Sequence, residues 1–170
     1  MKAVGIAGPP GSGKTLIATL FVKRGFKLYT MGDVIRKYAE ERGVTPDEAA
    51  VMIRIERGMR AVVRGLGLSP CDKIVIDGLR SPEEAEALEE ILGSLFLIYV
   101  VASRGTRLRR LAARGRLDDP ASYAQFAMRD YREAKLGVTA LLLRADAVIV
   151  NEDKSVEELE AEVESIIKRL

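Results

Sequence analysis

Two periodicities alternate along the chain. Short uninterrupted apolar runs, each long enough for one buried strand, are separated by stretches in which apolar residues recur three and four positions apart. Ala3-Val4-Gly5-Ile6-Ala7 opens the series, and a helix over about 14–24 follows with Leu16, Ile17, Leu20 and Phe21 along one face. Phe26-Lys27-Leu28-Tyr29 reads as a short second strand. Asp33 is placed to cap a helix running to about Arg42 and closed by Gly43. Thr45-Pro46-Asp47-Glu48 joins a capping box to a proline at the first helical position, which predicts a helix to about Arg64. Ile74-Val75-Ile76 is a buried strand ending at Asp77, and Ser81-Pro82-Glu83-Glu84 caps the next helix, to about Leu92. Leu95 to Val101 is an apolar strand, followed by an arginine-rich helix over about 104–114 and another from Asp119-Pro120 to about Lys135. Ala147-Val148-Ile149-Val150 is the last strand, and Ser155 caps a final helix with Leu159, Val163, Ile166 and Ile167 on one face. Continuous apolar strands between amphipathic helices specify a parallel sheet covered on both faces. Five strands give a three-layer α/β/α sandwich with its ligand crevice at the strands' carboxyl ends. At 170 residues, with no repeat or linker, the chain reads as one domain over 1–170.

Between the first strand and the first helix stand Gly8, Pro9, Pro10, Gly11, Ser12, Gly13, Lys14 and Thr15. The pattern G-x-x-x-x-G-K-[ST] in that strand-to-helix context is a phosphate-binding loop, which makes the sandwich one of the P-loop NTPase kind. Glycines let backbone N–H groups converge on phosphate oxygens, and the helix N-terminus adds a favourable field for negative charge. Lys14 is placed to reach the β- and γ-phosphates, and the Thr15 hydroxyl to ligate Mg²⁺. ATP and Mg²⁺ are therefore the expected ligands.

Composition narrows the chemistry. With 48 % hydrophobic and 31 % charged residues the chain is globular, and a net charge of +2 provides no general attraction to nucleic acid. There is no histidine, which removes His-based acid–base catalysis and His-ligated zinc. The absence of tryptophan and a 5 % aromatic content argue against stacking platforms for single strands. Cys71 stands alone, so no internal disulfide forms and a reducing cytoplasm is expected. Met-Lys-Ala-Val runs straight into the first strand, so no signal peptide is expected, and no apolar run approaches the ~20 residues of a membrane span. The expected partners are small nucleotides, with the protein acting as a monomer or small homo-oligomer.

Three further segments carry chemistry. Asp77-Gly78-Leu79-Arg80 leaves an apolar strand beside the loop, so Asp77 can hold Mg²⁺ through water and Arg80 can grip a second phosphate. Thr30-Met31-Gly32-Asp33-Val34-Ile35-Arg36 follows the second strand, with Arg36 one helical turn beyond Asp33. Arg104, Arg107, Arg109, Arg110, Arg114 and Arg116 cluster with no acidic residue among them, and such a cluster repels itself when no anion is bound. Arg110 and Arg114 share a helix face.

Together these segments resemble the nucleoside monophosphate kinase family. In adenylate kinases a phosphate loop is followed by Thr-Gly-Asp-x-x-Arg and then by Asp-Gly-x-x-Arg. Here Met31 intrudes in the first segment, and the second lacks one residue, the proline included. The resemblance implies that Arg36 and Arg80 bind the acceptor's phosphate, and that residues 34–64 form a helical acceptor-binding insert with Asp33 at its start. Residues 104–130 would form a short lid, mobile without ligand. Arg116-Leu117-Asp118-Asp119 resembles the far edge of the adenylate kinase lid, and Arg129 the arginine beyond it. By the same resemblance Arg110 stacks on adenine, Arg114, Arg116 and Arg129 touch phosphates, and Asn151 lines the adenine pocket. The likeness covers nearly the whole chain. It runs closest to a mostly archaeal group described as adenylate-kinase-like or dephospho-CoA-kinase-like. It implies a nucleotide kinase moving the γ-phosphoryl group to a nucleoside monophosphate-like acceptor. The alternatives are a hydroxyl acceptor, with Asp33 as base, and an ATP-binding regulator that is not a kinase.

Overall fold

Val4 and Ile6 point to one side of the first strand and Ala3 and Ala7 to the other, and this alternation organises the whole sheet. The computed structural model describes residues 1–116 and 119–170. Strands β1 (Lys2–Ala7), β2 (Lys27–Thr30), β3 (Lys73–Leu79), β4 (Phe96–Val101) and β5 (Ala147–Val150) form one parallel sheet in the order β2-β3-β1-β4-β5. One face carries Val4, Ile6, Val75, Ile98, Val100 and Ile149. It is covered by α1 (Lys14–Val22) and α8 (Val156–Ile167), through Ile17, Phe21, Leu159 and Val163 among others. The opposite face carries Ala3, Ile74, Ile76, Leu97 and Tyr99 under α2 (Met31–Arg42), α3 (Pro46–Arg57), α4 (Ala61–Gly65) and α5 (Pro82–Leu92). The three-layer sandwich expected from the sequence is the architecture observed. Helices α6 (Arg104–Arg114) and α7 (Tyr123–Leu136) follow β4, and a short 3-10 helix over Ala140–Arg144 leads into β5.

Four boundaries differ from expectation. Helix α2 begins at Met31, so Asp33 lies in its first turn instead of capping it; the buried Met31 side chain draws the earlier residues into the helix. The long helix expected to Arg64 ends at Arg57, because Gly58 adopts φ 88°, ψ 163°, outside the helical region, and α4 restarts beyond it. Strand β3 continues past Asp77 to Leu79, which is fully buried and pairs with Ala7. Ile6 faces Asp77 and Ala7 faces Leu79, so Gly78 is the extra residue of a bulge, a device that re-aims neighbouring side chains. Finally, Ser122 and not Asp119 starts α7, its hydroxyl accepting the Gln125 N–H, since the Asp119 carboxylate is engaged elsewhere.

Candidate functional site

The carboxyl ends of β1 and β3, the first turns of α1 and α2, and helices α6 and α7 surround one cavity of about 460 Å³. Lys14, Thr15, Asp33, Arg36, Asp77, Arg80, Arg110, Arg114, Arg116 and Arg129 all line it, with Pro10, Gly11 and Gly13 of the loop. These residues come from five separate segments of sequence, and the parallel sheet is what gathers them, since every strand delivers its following loop to the same edge.

Lys14 folds back over the loop, its Nζ donating to Gly8 O at 2.8 Å and Pro9 O at 3.0 Å. Burial lowers its pKa to about 8, against the opposing pull of Asp77 and Glu133. A phosphate anion beside it favours the charged form and reverses that shift. The Thr15 hydroxyl donates to Asp77 Oδ2 at 2.9 Å, while Asp77 Oδ1 is buried with no hydrogen-bond partner. An orphaned carboxylate oxygen next to a threonine hydroxyl suits a hard cation, which prefers oxygen donors. Among the described residues no group of three or more His, Cys, Asp or Glu is arranged to hold a metal ion. A Mg²⁺ here would therefore draw most of its ligands from phosphate and water.

The two expected acceptor anchors are each held by a carboxylate. Arg36 pairs with Asp33 within the first turns of α2. Arg80 Nε lies 3.0 Å from Glu133 Oε2 on α7, and Glu133 is the main reason its pKa is raised above the ordinary value. Arg80's backbone N–H donates to Glu84 Oε2 at 2.8 Å, and Glu84 Oε1 takes Arg54 of α3. A chain of polar contacts thus runs from Arg54 on α3 through Glu84 and Arg80 to Glu133 on α7.

The basic run of α6 is also paired. Arg107 meets Asp130, Arg110 donates to Asn151 O at 3.0 Å, and Arg114 donates through Nε to Asp119 Oδ2 at 2.9 Å. Arg116 N–H donates to that same Oδ2, and Arg129 lies 3.5 Å from Asp119 Oδ1. Burial opposes ionisation of Asp119, but the Arg114 hydrogen bonds hold its carboxyl below the usual value. The self-repulsion expected of the basic run is therefore relieved at Arg107 and Arg114, while Arg104, Arg109 and Arg110 meet neutral oxygens. Leu117 and Asp118, quoted with the lid segment, lie outside the described residues. Asn151 is buried, and its Nδ2 donates to Ser12 O at 2.9 Å, bracing the loop from behind. Beyond Arg129 a wider cleft of about 1070 Å³ opens between the start of α3 and α7, with Val44, Pro46, Val51, Met52, Pro120 and Met128 on its walls. The Arg132–Asp47 ion pair joins those same two helices.

Residues 4–134 match a family described as an AAA domain. Over 172 residues the sequence is 54 % identical to a UPF0200 protein of Pyrobaculum aerophilum, spanning 100 % of this chain and 99 % of that one. The chain belongs to the UPF0200 family. A second member, from Methanothermobacter thermautotrophicus, is 38 % identical over 156 residues, covering 89 % of this chain and 82 % of its own. Among solved structures, TT1252 of Thermus thermophilus superposes with a TM-score of 0.66 at 19 % identity, covering 99 % of this chain and 97 % of that one. A sugar kinase of Janibacter sp. gives 0.63 at 17 % identity, covering 99 % and 95 %. At such identities the likeness is one of fold. The architecture is that of the P-loop NTPases, and the family is P-loop kinase-like. No helix among the described residues is long and apolar enough to cross a membrane.

In this UPF0200 chain, sequence reading missed the acidic half of the site. Glu133, Asp119, Asp130 and Glu84 each hold an arginine of the cleft or its surround; Glu133 and Asp130 have no motif around them, and the segments around Glu84 and Asp119 read as a helix cap and a lid edge and not as arginine partners. Glu133 carried one available signal: it lies four residues beyond Arg129, on the same face of a helix.

Proposed function

We propose that the protein is an ATP- and Mg²⁺-dependent phosphotransferase that moves a γ-phosphoryl group to a small nucleoside monophosphate-like acceptor. The observation that carries this reading is the single cavity in which the phosphate loop, Asp77 and the arginines Arg36, Arg80 and Arg129 face one another. The backbone N–H groups of the loop, which Pro9 and Pro10 lack, and the Lys14 ammonium hold the triphosphate, Lys14 releasing its two loop carbonyls to do so. Thr15 and Asp77 are the residues that would hold Mg²⁺, which supplies charge neutralisation at the phosphates when bound. Arg36 and Arg80 anchor the acceptor, whose body extends toward the apolar-walled cleft between α3 and α7. Arg110 and Arg114 contact ATP, with Asn151 beside them, and Arg116 and Arg129 neutralise charge that accumulates around the transferring group. Residues 34–64 form the acceptor insert and 104–130 the lid.

An acceptor that is already a phosphate anion needs no strong base. A hydroxyl acceptor does, and the Asp33 carboxylate, which lines the same cavity, favours that second reading. The deciding experiment is a coupled ADP-release assay with nucleoside monophosphates, with dephospho-CoA and with no acceptor. Acceptor-dependent ADP release supports transfer, and the responding acceptor separates the two readings. Slow release indifferent to every acceptor would instead mean an ATP-binding regulator.

A further inference from the structure

Arg107 is buried, and the chemistry proposed above gives it no task. A guanidinium withdrawn from water is retained where its partners compensate the lost hydration. Here Nη1 donates to Pro10 O of the phosphate loop at 3.1 Å, and Nη1 and Nη2 together grip the Asp130 carboxylate at 2.8 and 2.7 Å. The group also lies over the Phe126 ring, 5.0 Å from its centroid. Asp130 and Phe126 both belong to α7, so one side chain of α6 joins the loop to α7. The backbone of α6 is pressed against the loop as well: a Cβ on Gly11 would fall 2.7 Å from Arg107 O.

The Pro10 contact has a directional consequence. Across a trans peptide the carbonyl of one residue and the N–H of the next point to opposite sides. Holding Pro10 O outward, toward Arg107, turns the Gly11 N–H inward. Pro10 and Gly11 both line the cavity that holds Lys14 and Thr15. We infer that Arg107, anchored by Asp130, is a positioning residue: it sets the Pro10–Gly11 peptide so that the Gly11 N–H faces the phosphates. It also ties the loop to the helix that carries Arg129. The inference rests on the nucleotide-binding reading above. It calls for a forked side chain, because the planar guanidinium holds Nη1 and Nη2 at fixed positions toward Pro10 O and the two Asp130 oxygens, whereas an ammonium puts its three donors on one rotating centre at the end of a flexible stem.

The test is Arg107→Lys, which keeps the charge and loses the fork, read by calorimetric titration with MgADP. Affinity should fall about tenfold, the effect of one charge-assisted hydrogen bond. A second readout is the Gly11 amide resonance in ¹⁵N-labelled protein at saturating MgADP. Its nucleotide-induced shift should shrink in the variant, which a purely structural role would not cause. If Arg107→Lys does not fold, Asp130→Asn decides by the same two measurements, since it weakens the anchor and leaves Arg107 in place. Unchanged affinity overturns the inference, and so does weakened affinity with an unaltered Gly11 shift. Wild-type protein that binds no MgADP would overturn the nucleotide reading itself, a result separable from either.

Discussion

Replacing Glu84 by glutamine should destabilise the protein far more than a change of one atom type suggests. Both partners of the Arg54–Glu84 pair are out of water, with side chains 3 % and 0 % exposed and Nη2 2.5 Å from Oε1. The other carboxylate oxygen accepts the Arg80 backbone N–H at 2.8 Å, and Arg54 Nη1 donates to Ala50 O. Glutamine offers one acceptor oxygen and one NH₂ where two donors converge, so either Arg54 or the Arg80 amide must face another donor. Breaking a buried pair by neutralising one partner costs about 3–5 kcal/mol, mostly the penalty of the charge left behind. At about 2–4 °C per kcal/mol for a domain of this size, Tm should drop by roughly 6–20 °C. Equilibrium unfolding in urea measures the loss directly. The companion variant is Arg54→Met, and the informative protein is the double substitution. With the stranded charge gone, the pair should recover much of what either single change loses, giving a coupling of opposite sign to simple additivity. A loss below about 1 kcal/mol for Glu84→Gln, against the 3–5 expected, would refute this account, as would strict additivity in the double variant.

Three further outcomes test the site. Lys14→Ala should abolish phosphoryl transfer, with a loss of about 3–4 kcal/mol in transition-state stabilisation and an unchanged circular dichroism spectrum; undiminished turnover would end the phosphate-loop argument. Arg36→Ala or Arg80→Ala should raise acceptor KM by roughly 10- to 150-fold in steady-state kinetics while KM for ATP stays put, and the opposite pattern would exchange the two sub-sites. A bisubstrate analogue should protect residues 104–130 from hydrogen exchange well beyond the effect of ATP alone, and equal protection in free and doubly liganded protein would mean a static basic face.

The sheet and the phosphate loop were legible because each rests on a local pattern: uninterrupted apolar runs for the strands, and glycine spacing between strand and helix for the loop. Boundaries failed where a distant partner decided them. Asp77-Gly78 reads as the end of a strand, yet pairing of Leu79 with Ala7 on β1 carries β3 onward through a bulge. Met31 is pulled into α2 by the core beneath it, and that burial is invisible from its neighbours in sequence. The interruption at Gly58 was missed because apolar residues on both sides continue at helical spacing. The site divides in the same way. Lys14, Thr15, Asp77, Arg36 and Arg80 lie in contiguous motifs and share one cavity, and Asp33 pairs with Arg36 inside its own motif, whereas Glu133, the partner of Arg80, comes from an element far along the chain.

That division alters what closing of the cleft would involve. Between 104 and 116 the sequence shows only cations, which suggests a lid held open by repulsion until phosphates arrive. The whole chain, however, carries 27 basic and 25 acidic residues, enough to neutralise almost every arginine internally. Around the cleft the fold uses part of that supply, setting Asp130 on Arg107, Asp119 on Arg114 and Arg129, Glu133 on Arg80 and Asp47 on Arg132. At those arginines an entering phosphate does not relieve a repulsion; it must displace a carboxylate already in place. Binding then becomes an exchange of ion-pair partners, whose net free energy is the difference between two charge-assisted contacts. Such an exchange favours the ligand only where it offers more acceptors than the carboxylate it displaces. A phosphate, with three oxygens against two, meets that condition at Arg80 and Arg129, which line the cavity. It has no such opening at Arg107, whose fork is filled by Asp130 and the loop itself.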